Sequence, residues 1–234
     1  MDLKDVKALI TGGSSGIGYA VAKALIEAGG KVAICGRNEE KLNKAASELG
    51  ATPIVCDVAD EAQVAAMIAK TVESLGGYNV LINNAAYGYM SPLPDIDLAK
   101  FNELIAANLT GAMLVARESA KVFIPQKSGN IINVASTAGG RGYPNGTPYV
   151  ASKFALRGMT ECWRAELRKH EIRVMLINPS EVQTNFATAA GYPRDFNEKK
   201  LVAEDIAHAV PMMLSMNDRG FTTELTVFAT NPDG

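Results

Sequence analysis

Short runs of apolar residues alternate with longer amphipathic stretches along almost the whole chain. The apolar runs are Lys7–Ile10, Val32–Cys35, Pro53–Cys56, Val80–Ile82, Asn130–Val134, Arg173–Ile177 and Leu225–Phe228. Several are apolar at successive positions instead of every second one, as parallel strands covered on both faces are. Between them lie patterns with helical spacing, near Gly16–Ala28, Glu39–Leu49, Glu61–Leu75, Leu98–Phe123, Thr147–His170 and Ala203–Leu214. This order predicts an α/β fold: a doubly wound, mostly parallel seven-stranded sheet with right-handed crossovers and helices on both faces.

No Pro/Ser-rich linker, charge block or internal repeat interrupts the 234 residues, so 1–234 reads as one domain. The least regular stretch is Thr184–Lys200, which contains Gly191, Pro193 and the aromatics Phe186, Tyr192 and Phe196. A long irregular segment in such a domain is either a lid over a substrate or a surface loop. We take 184–200 as the lid.

Composition narrows the partners. With 47% apolar and 21% charged residues the chain reads as an ordinary soluble protein. A net charge of −2, with Lys and Arg scattered, gives no electrostatic reason to expect nucleic acid or a membrane surface. No apolar run approaches the roughly 20 residues of a membrane span, and Met1–Asp5 lacks the regions of a signal peptide. Cys35, Cys56 and Cys162 are an odd, unpaired set, which reads as reduced thiols in a cytoplasmic protein. Cys35 and Cys56 read as buried small hydrophobes. His170 and His208 have no neighbours in ligand spacing, so no metal site is expected.

The first strand runs into Thr11-Gly12-Gly13-Ser14-Ser15-Gly16-Ile17-Gly18, and a helix follows. Glycines there let the backbone turn sharply and approach a pyrophosphate. The helix start offers free N–H groups and its positive dipole end. A ribose 2′-hydroxyl is usually met by an acidic residue roughly twenty positions on. This chain has Cys35-Gly36-Arg37-Asn38 at the end of the second strand, so Arg37 can pair with a 2′-phosphate. That points to NADP(H) rather than NAD(H). Asp57 closes the third strand at the edge where ligands bind, while Asp60 is the better helix cap.

Tyr149 and Lys153 stand four apart in Pro148-Tyr149-Val150-Ala151-Ser152-Lys153, on one face of a helix. Tyrosine ordinarily titrates near about pH 10, too high for a base at neutral pH. A neighbouring ammonium favours phenolate and lowers that value, so the pair can exchange a proton with a carbonyl or alcohol oxygen. Ser136 ends the fifth strand, thirteen residues before Tyr149. Asn108, followed by Gly111, sits inside a predicted helix where both are unfavourable.

The Gly12/Gly16/Gly18 spacing, Asn83-Asn84-Ala85-Ala86, Asn108, Ser136 and Tyr149/Lys153 occur in one order from Lys4 to about Phe228. In that order and spacing the chain resembles the short-chain dehydrogenase/reductase family. The resemblance implies a Rossmann-type, NAD(P)-binding catalytic domain that transfers hydride to or from a small carbonyl or alcohol compound. It implies Tyr149 as acid/base, Ser136 as hydrogen-bond partner of the substrate oxygen, and Lys153 on the nicotinamide ribose. Asn108 would support a water relay. Gly12, Ser14, Ser15, Gly16, Ile17 and Gly18 would carry the cofactor, with Asp57 and Val58 beside the adenine and Asn84 and Ala85 nearby. Pro179, Val182 and Thr184 would meet the nicotinamide, and Tyr149 would touch the cofactor as well as the substrate. Ala86 and Ser180 both replace the family's usual glycine; if position 180 needs a positive φ, serine there is strained.

Tyr87, Tyr89, Met90, Arg141, Tyr143 and Asn145 either line the substrate cleft or belong to surface loops, and Trp163 reads as core or subunit interface. Oxoacyl-thioester reduction is compatible, although the ending Leu225–Gly234 differs from the family's reductases of that kind. The alternatives are a non-catalytic NADP(H)-binding redox sensor and a sugar-nucleotide epimerase or dehydratase. The Tyr149 and Asn108 helices pair subunits in relatives, which implies a homodimer or homotetramer.

Overall fold

Strands that are apolar at successive positions need cover on both faces of their sheet, and the order of elements supplies it. The computed structural model describes residues 1–191 and 195–231. In chain order, β1 (Lys7–Thr11) leads to α1 (Gly16–Glu27), β2 (Lys31–Gly36) to α2 (Glu39–Leu49) and β3 (Thr52–Val55) to α3 (Glu61–Leu75). Next come β4 (Val80–Asn83) and α4 (Leu98–Ile105), joined by a π-helical turn (Ala106–Gly111) to α5 (Ala112–Gln126). β5 (Gly129–Val134), α6 (Thr147–Leu167) and β6 (Ile172–Pro179) follow. The last part holds β7 (Val182–Gln183), α7 (Asn185–Ala189), β8 (Leu201–Val202), α8 (Ala203–Ser215) and β9 (Glu224–Val227).

Seven strands make one sheet in the order β3-β2-β1-β4-β5-β6-β9, every pairing parallel. β7 and β8 form a separate parallel ribbon. Alternate residues of each strand enter opposite layers. Ala8, Ile10, Ile34 and Ile82 pack with Val21, Leu25, Leu42, Ile206 and Val210 of α1, α2 and α8. Leu9, Ala33, Leu81 and Ile131 pack with Val64, Met67, Val115 and Phe123 of α3 and α5. Each fully buried aliphatic side chain contributes about 1.5–3 kcal/mol, so these two layers drive the fold. This is the Rossmann-type arrangement. The strand order turns back beside β1, which opens a crevice at the carboxyl edge between β1 and β4.

Most elements lie within a residue or two of their predicted bounds, and Asp60 caps α3 by accepting from Gln63 N at 3.0 Å. One helix differs. The stretch 98–123 is not continuous: the π turn interrupts it at Asn108, whose side chain bonds to another segment. The described residues of 184–200 are also more regular than expected, since α7 lies among them and β7 and β8 pair just outside the two ends of the span. Tyr192 and Pro193 of that segment, and the chain end Pro232–Gly234, lie outside the described residues. Cys35 and Cys56 are buried and free, and burial pushes their thiols up to about 12 and about 11. Cys162 is exposed. Trp163 is half-buried against the second layer.

Candidate active site

The turn after β1 is shaped by glycine. Gly12 and Gly16 take φ of 65° and 55°, the left-handed region that side chains avoid. At Gly18 a Cβ would lie 2.4 Å from Gly12 O and 2.6 Å from Asn84 Nδ2. Thr11 Oγ1 accepts from the backbone N–H groups of Asn84 and Ala85, each at 2.9 Å. Asn84 Nδ2 donates back to Thr11 O at 2.9 Å and Gly12 O at 3.2 Å. Asn84 and Ala85 therefore lock the glycine turn to the end of β4. Ser15 starts α1 without a side-chain cap, so the first N–H groups of the helix are left to an anion. A dinucleotide pyrophosphate fits this cradle.

Gly18→Ala would force backbone apart, an overpacking cost of about 1–3 kcal/mol. We expect its melting temperature to fall by several degrees, and NADPH to raise it far less than in the unaltered protein. A thermal melt with and without NADPH reads both.

At the ends of β2 and β3, Arg37 Nη1 lies 4.0 Å from Asp57 Oδ2, both side chains exposed. Asp57 also accepts from Ala59 N at 3.0 Å, and Gln63 Oε1 holds its own N–H at 2.9 Å. Ser14 Oγ faces this corner, 3.6 Å from where a Cβ on Gly36 would lie. Val58 packs under the π turn; a Cβ on Gly111 would come within 2.7 Å of Val58 Cγ2.

Asn108 is buried in the π turn. Its Oδ1 accepts from Tyr87 N at 3.0 Å and its Nδ2 donates to Tyr87 O at 2.9 Å, so it pins the loop after β4. The same Nδ2 donates to Ser152 Oγ at 3.3 Å, and Ser152 Oγ donates to Tyr149 O at 2.7 Å. Lys153 lies next along α6, fully buried. Its Nζ donates to Val134 O at 3.0 Å and stands 5.6 Å from the centre of the Tyr149 ring. Burial pushes its ammonium down to about 8. Ser136 caps the short turn after β5, its Oγ accepting from Ala138 N at 3.1 Å. A Cβ on Gly139 in that turn would lie 3.1 Å from Lys153 O, so the turn and α6 are in close contact.

On the far side, Thr184 Cγ2 lies 3.3 Å from where a Cβ on Gly16 would be, which brings the chain after β6 to the glycine turn. Pro179 ends β6 and Val182 opens β7. Ser180 has no positive φ, and its N–H donates to Val227 O at 2.9 Å. The strain conditionally expected of serine is absent, because the backbone there is one any residue adopts.

Three contacts had no clear sequence signal. Phe186 meets the Tyr149 ring edge to face at 5.4 Å. Gln183 clamps the backbone of Asn197 on both sides, accepting from its N at 2.6 Å and donating to its O at 2.7 Å. Glu224 of β9 joins Asn178 of β6 (2.6 Å) to Arg157 of α6 (3.1 Å), one helical turn beyond Lys153. Among the six undecided residues, Tyr89 turns to α4, its OH accepting from Asp97 N at 2.9 Å. Tyr143 reaches Met90 Sδ at 3.7 Å, and Asn145, with φ of 64°, accepts from Ser91 N. Arg141 is exposed. Among the described residues no cluster of His, Cys, Asp or Glu could hold a metal ion, and no helix is long and apolar enough to cross a membrane.

This geometry has parallels. A model described as short chain dehydrogenase matches residues 6–194. An uncharacterized oxidoreductase of Staphylococcus aureus is 34% identical over 228 residues, 96% of this chain and 97% of that one. An alcohol dehydrogenase from the archaeon Thermococcus sibiricus, solved with 5-hydroxy-NADP, superposes with a TM-score of 0.87 at 28% identity over 97% of each chain. A 3-ketoacyl-(acyl-carrier-protein) reductase from Brucella melitensis, solved with NADH, does so with 0.88 at 27% identity, over 95% of this chain and 96% of that one.

Proposed function

The chain belongs to the short chain dehydrogenase family, and on that footing we propose that it is an NADP(H)-dependent oxidoreductase of small carbonyl or alcohol compounds with Tyr149 as acid/base. The observation that carries this reading is the buried Lys153, four residues from Tyr149, with its Nζ 5.6 Å from the phenol ring. A cation held there stabilises phenolate, which makes the phenol a usable proton donor and acceptor near neutral pH.

The nicotinamide, when bound, supplies or accepts the hydride. The chain's own residues do the rest. In the reducing direction Tyr149 gives its phenolic proton to the substrate oxygen, and the Lys153 ammonium holds the phenolate that remains. Ser136 Oγ already accepts from Ala138 N, so its hydroxyl proton is left to hydrogen-bond the same oxygen. Lys153 spends one N–H on Val134 O and keeps two for the nicotinamide ribose and Tyr149. Asn108 acts by holding the π turn and the Tyr87 loop in place beside the relay. Pro179, Val182 and Thr184 border the nicotinamide, with Thr184 reaching the glycine turn at Gly16.

Gly12, Ser14, Ser15, Gly16, Ile17 and Gly18 carry the pyrophosphate, and Asp57 and Val58 flank the adenine. Solved neighbours hold 5-hydroxy-NADP in one case and NADH in another, so the preference here rests on Arg37. Its guanidinium reaches Asp57 only at 4.0 Å, an exposed pair of small worth, which leaves it open to a 2′-phosphate. Arg37→Ala is expected to weaken NADPH at least about tenfold, the scale of a charge-assisted hydrogen bond, and to leave NADH nearly unchanged. Fluorescence titration with both cofactors measures it; equal loss for both would refute the NADP(H) assignment.

Residues 1–234 act in this reading as one cytoplasmic domain. The 184–200 segment serves as a lid whose base is held by the Gln183 clamp. Leu98 of α4 and Phe154 of α6 are exposed, which supports a homodimer or homotetramer through these helices. The decisive test follows NADPH oxidation against ketones, aldehydes and oxoacyl thioesters. Turnover is expected. Tight NADPH binding without turnover on such a panel would instead make the protein a redox sensor.

A further inference from the structure

Phe186 is held in place from several directions. Its ring stands edge to face against Tyr149, planes at 61°. The ring also rests on Gly88, where a Cβ would come within 2.9 Å of ring atoms Cε1 and Cζ. Glycine at 88 thus forms the seat of the ring. The backbone is fixed as well, since Phe186 N donates to Thr184 Oγ1 at 3.2 Å and Thr184 abuts Gly16. Phe186 therefore touches the Tyr149 ring from a segment whose Thr184 abuts the glycine turn, so a carbonyl compound brought to the phenol would meet this ring.

We propose that Phe186, seated on Gly88, determines specificity and selects a neutral carbonyl compound with a flat apolar group, aryl or conjugated, next to the reacting carbonyl. The proposal rests on the reading of Tyr149 above. A fixed aromatic edge favours another π system by offset or edge-to-face contact. A carboxylate or phosphate pressed against the same ring would lose water and gain no hydrogen bond from it. Short alkyl groups would leave the wall only partly covered.

The test compares acetophenone with 2-butanone as substrates, with NADPH, for the unaltered protein, Phe186→Ala and Phe186→Leu. The unaltered protein is expected to favour the aryl ketone in kcat/KM by at least about tenfold, within the range apolar pockets reach. Phe186→Ala should bring that ratio close to one. Phe186→Leu keeps apolar bulk without the ring, so it should lower the ratio even if the alanine variant folds poorly. A preference for the alkyl ketone, or a ratio that neither variant moves, would overturn the proposal.

A binding arm separates this failure from failure of the proposed activity. Saturation-transfer NMR follows 1-phenylethanol and 2-butanol on the NADP⁺-loaded protein. Aryl binding that weakens in Phe186→Leu, without turnover of any ketone, would sustain the selectivity and refute the enzymatic reading. Absence of both aryl binding and turnover would refute both.

Discussion

Tyr149→Phe is expected to lower kcat by about 10³-fold or more while leaving NADPH affinity within about twofold, because proton transfer of this kind contributes about 10²–10⁴-fold. The substitution removes one hydroxyl and keeps the ring that packs edge to face with Phe186. Lys153 retains Val134 O as its acceptor, and the cradle around Gly12 and Gly18 is untouched. Folding and dinucleotide binding therefore have no reason to change. Steady-state turnover and a fluorescence titration on the same preparation read the two halves. Turnover within tenfold of the unaltered protein would remove Tyr149 from the chemistry.

Lys153→Met should abolish turnover too, yet make the protein more stable near neutral pH. The ammonium is fully buried and desolvation pushes it down to about 8. Below that pH the lysine is protonated both folded and unfolded, and the folded state carries the full cost of burying it. A drop from the ordinary lysine value to about 8 corresponds to about 3 kcal/mol. Between about pH 8 and the ordinary value, the unfolded chain still holds the proton that the folded chain has lost. The unfolded state then binds more protons, so stability rises with pH through that window.

Methionine fills similar space without a charge and leaves Val134 O without its donor, a loss of about 1 kcal/mol or more. The net expectation at pH 7 is a gain of about 1–2 kcal/mol, or several degrees in melting temperature. The gap between the two proteins should narrow from pH 8 to 10. Denaturant unfolding at pH 7 and pH 9.5 measures it. A variant that is less stable at pH 7, or a gap that does not depend on pH, would contradict the desolvation account.

What could be seen in the sequence was chemistry that depends on near neighbours. The glycine turn needs only a strand before it and a helix after it. Tyr149 and Lys153 need only one helical turn between them. Asn108 was visible as a misfit, a poor helix former close to Gly111, and the misfit proved to be a π turn. Contacts that depend on the path of a loop were not legible. Phe186 and Gln183 lie where no periodicity reports a face, so neither the ring contact with Tyr149 nor the clamp on Asn197 could be read. Ser180 raised the opposite problem. A residue type suggests strain only if φ is known, and here φ is ordinary. Glu224 and Asn178 meet because β9 pairs with β6, a neighbour relation that only the assembled sheet defines.

The π turn at Ala106–Gly111 also bears on how this gene can change length. Such a turn holds one residue more than regular α winding needs for the same advance along the axis. Loss of one residue there, for example Leu109, would let α4 and α5 close into a single regular helix with both flanks still in phase. The same loss in the middle of α5 would rotate everything beyond it by about 100° and turn Phe123 away from its layer. A deletion there would therefore spare the scaffold while disturbing the hold of Asn108 on Tyr87, so a shortened descendant would keep the fold and lose that contact.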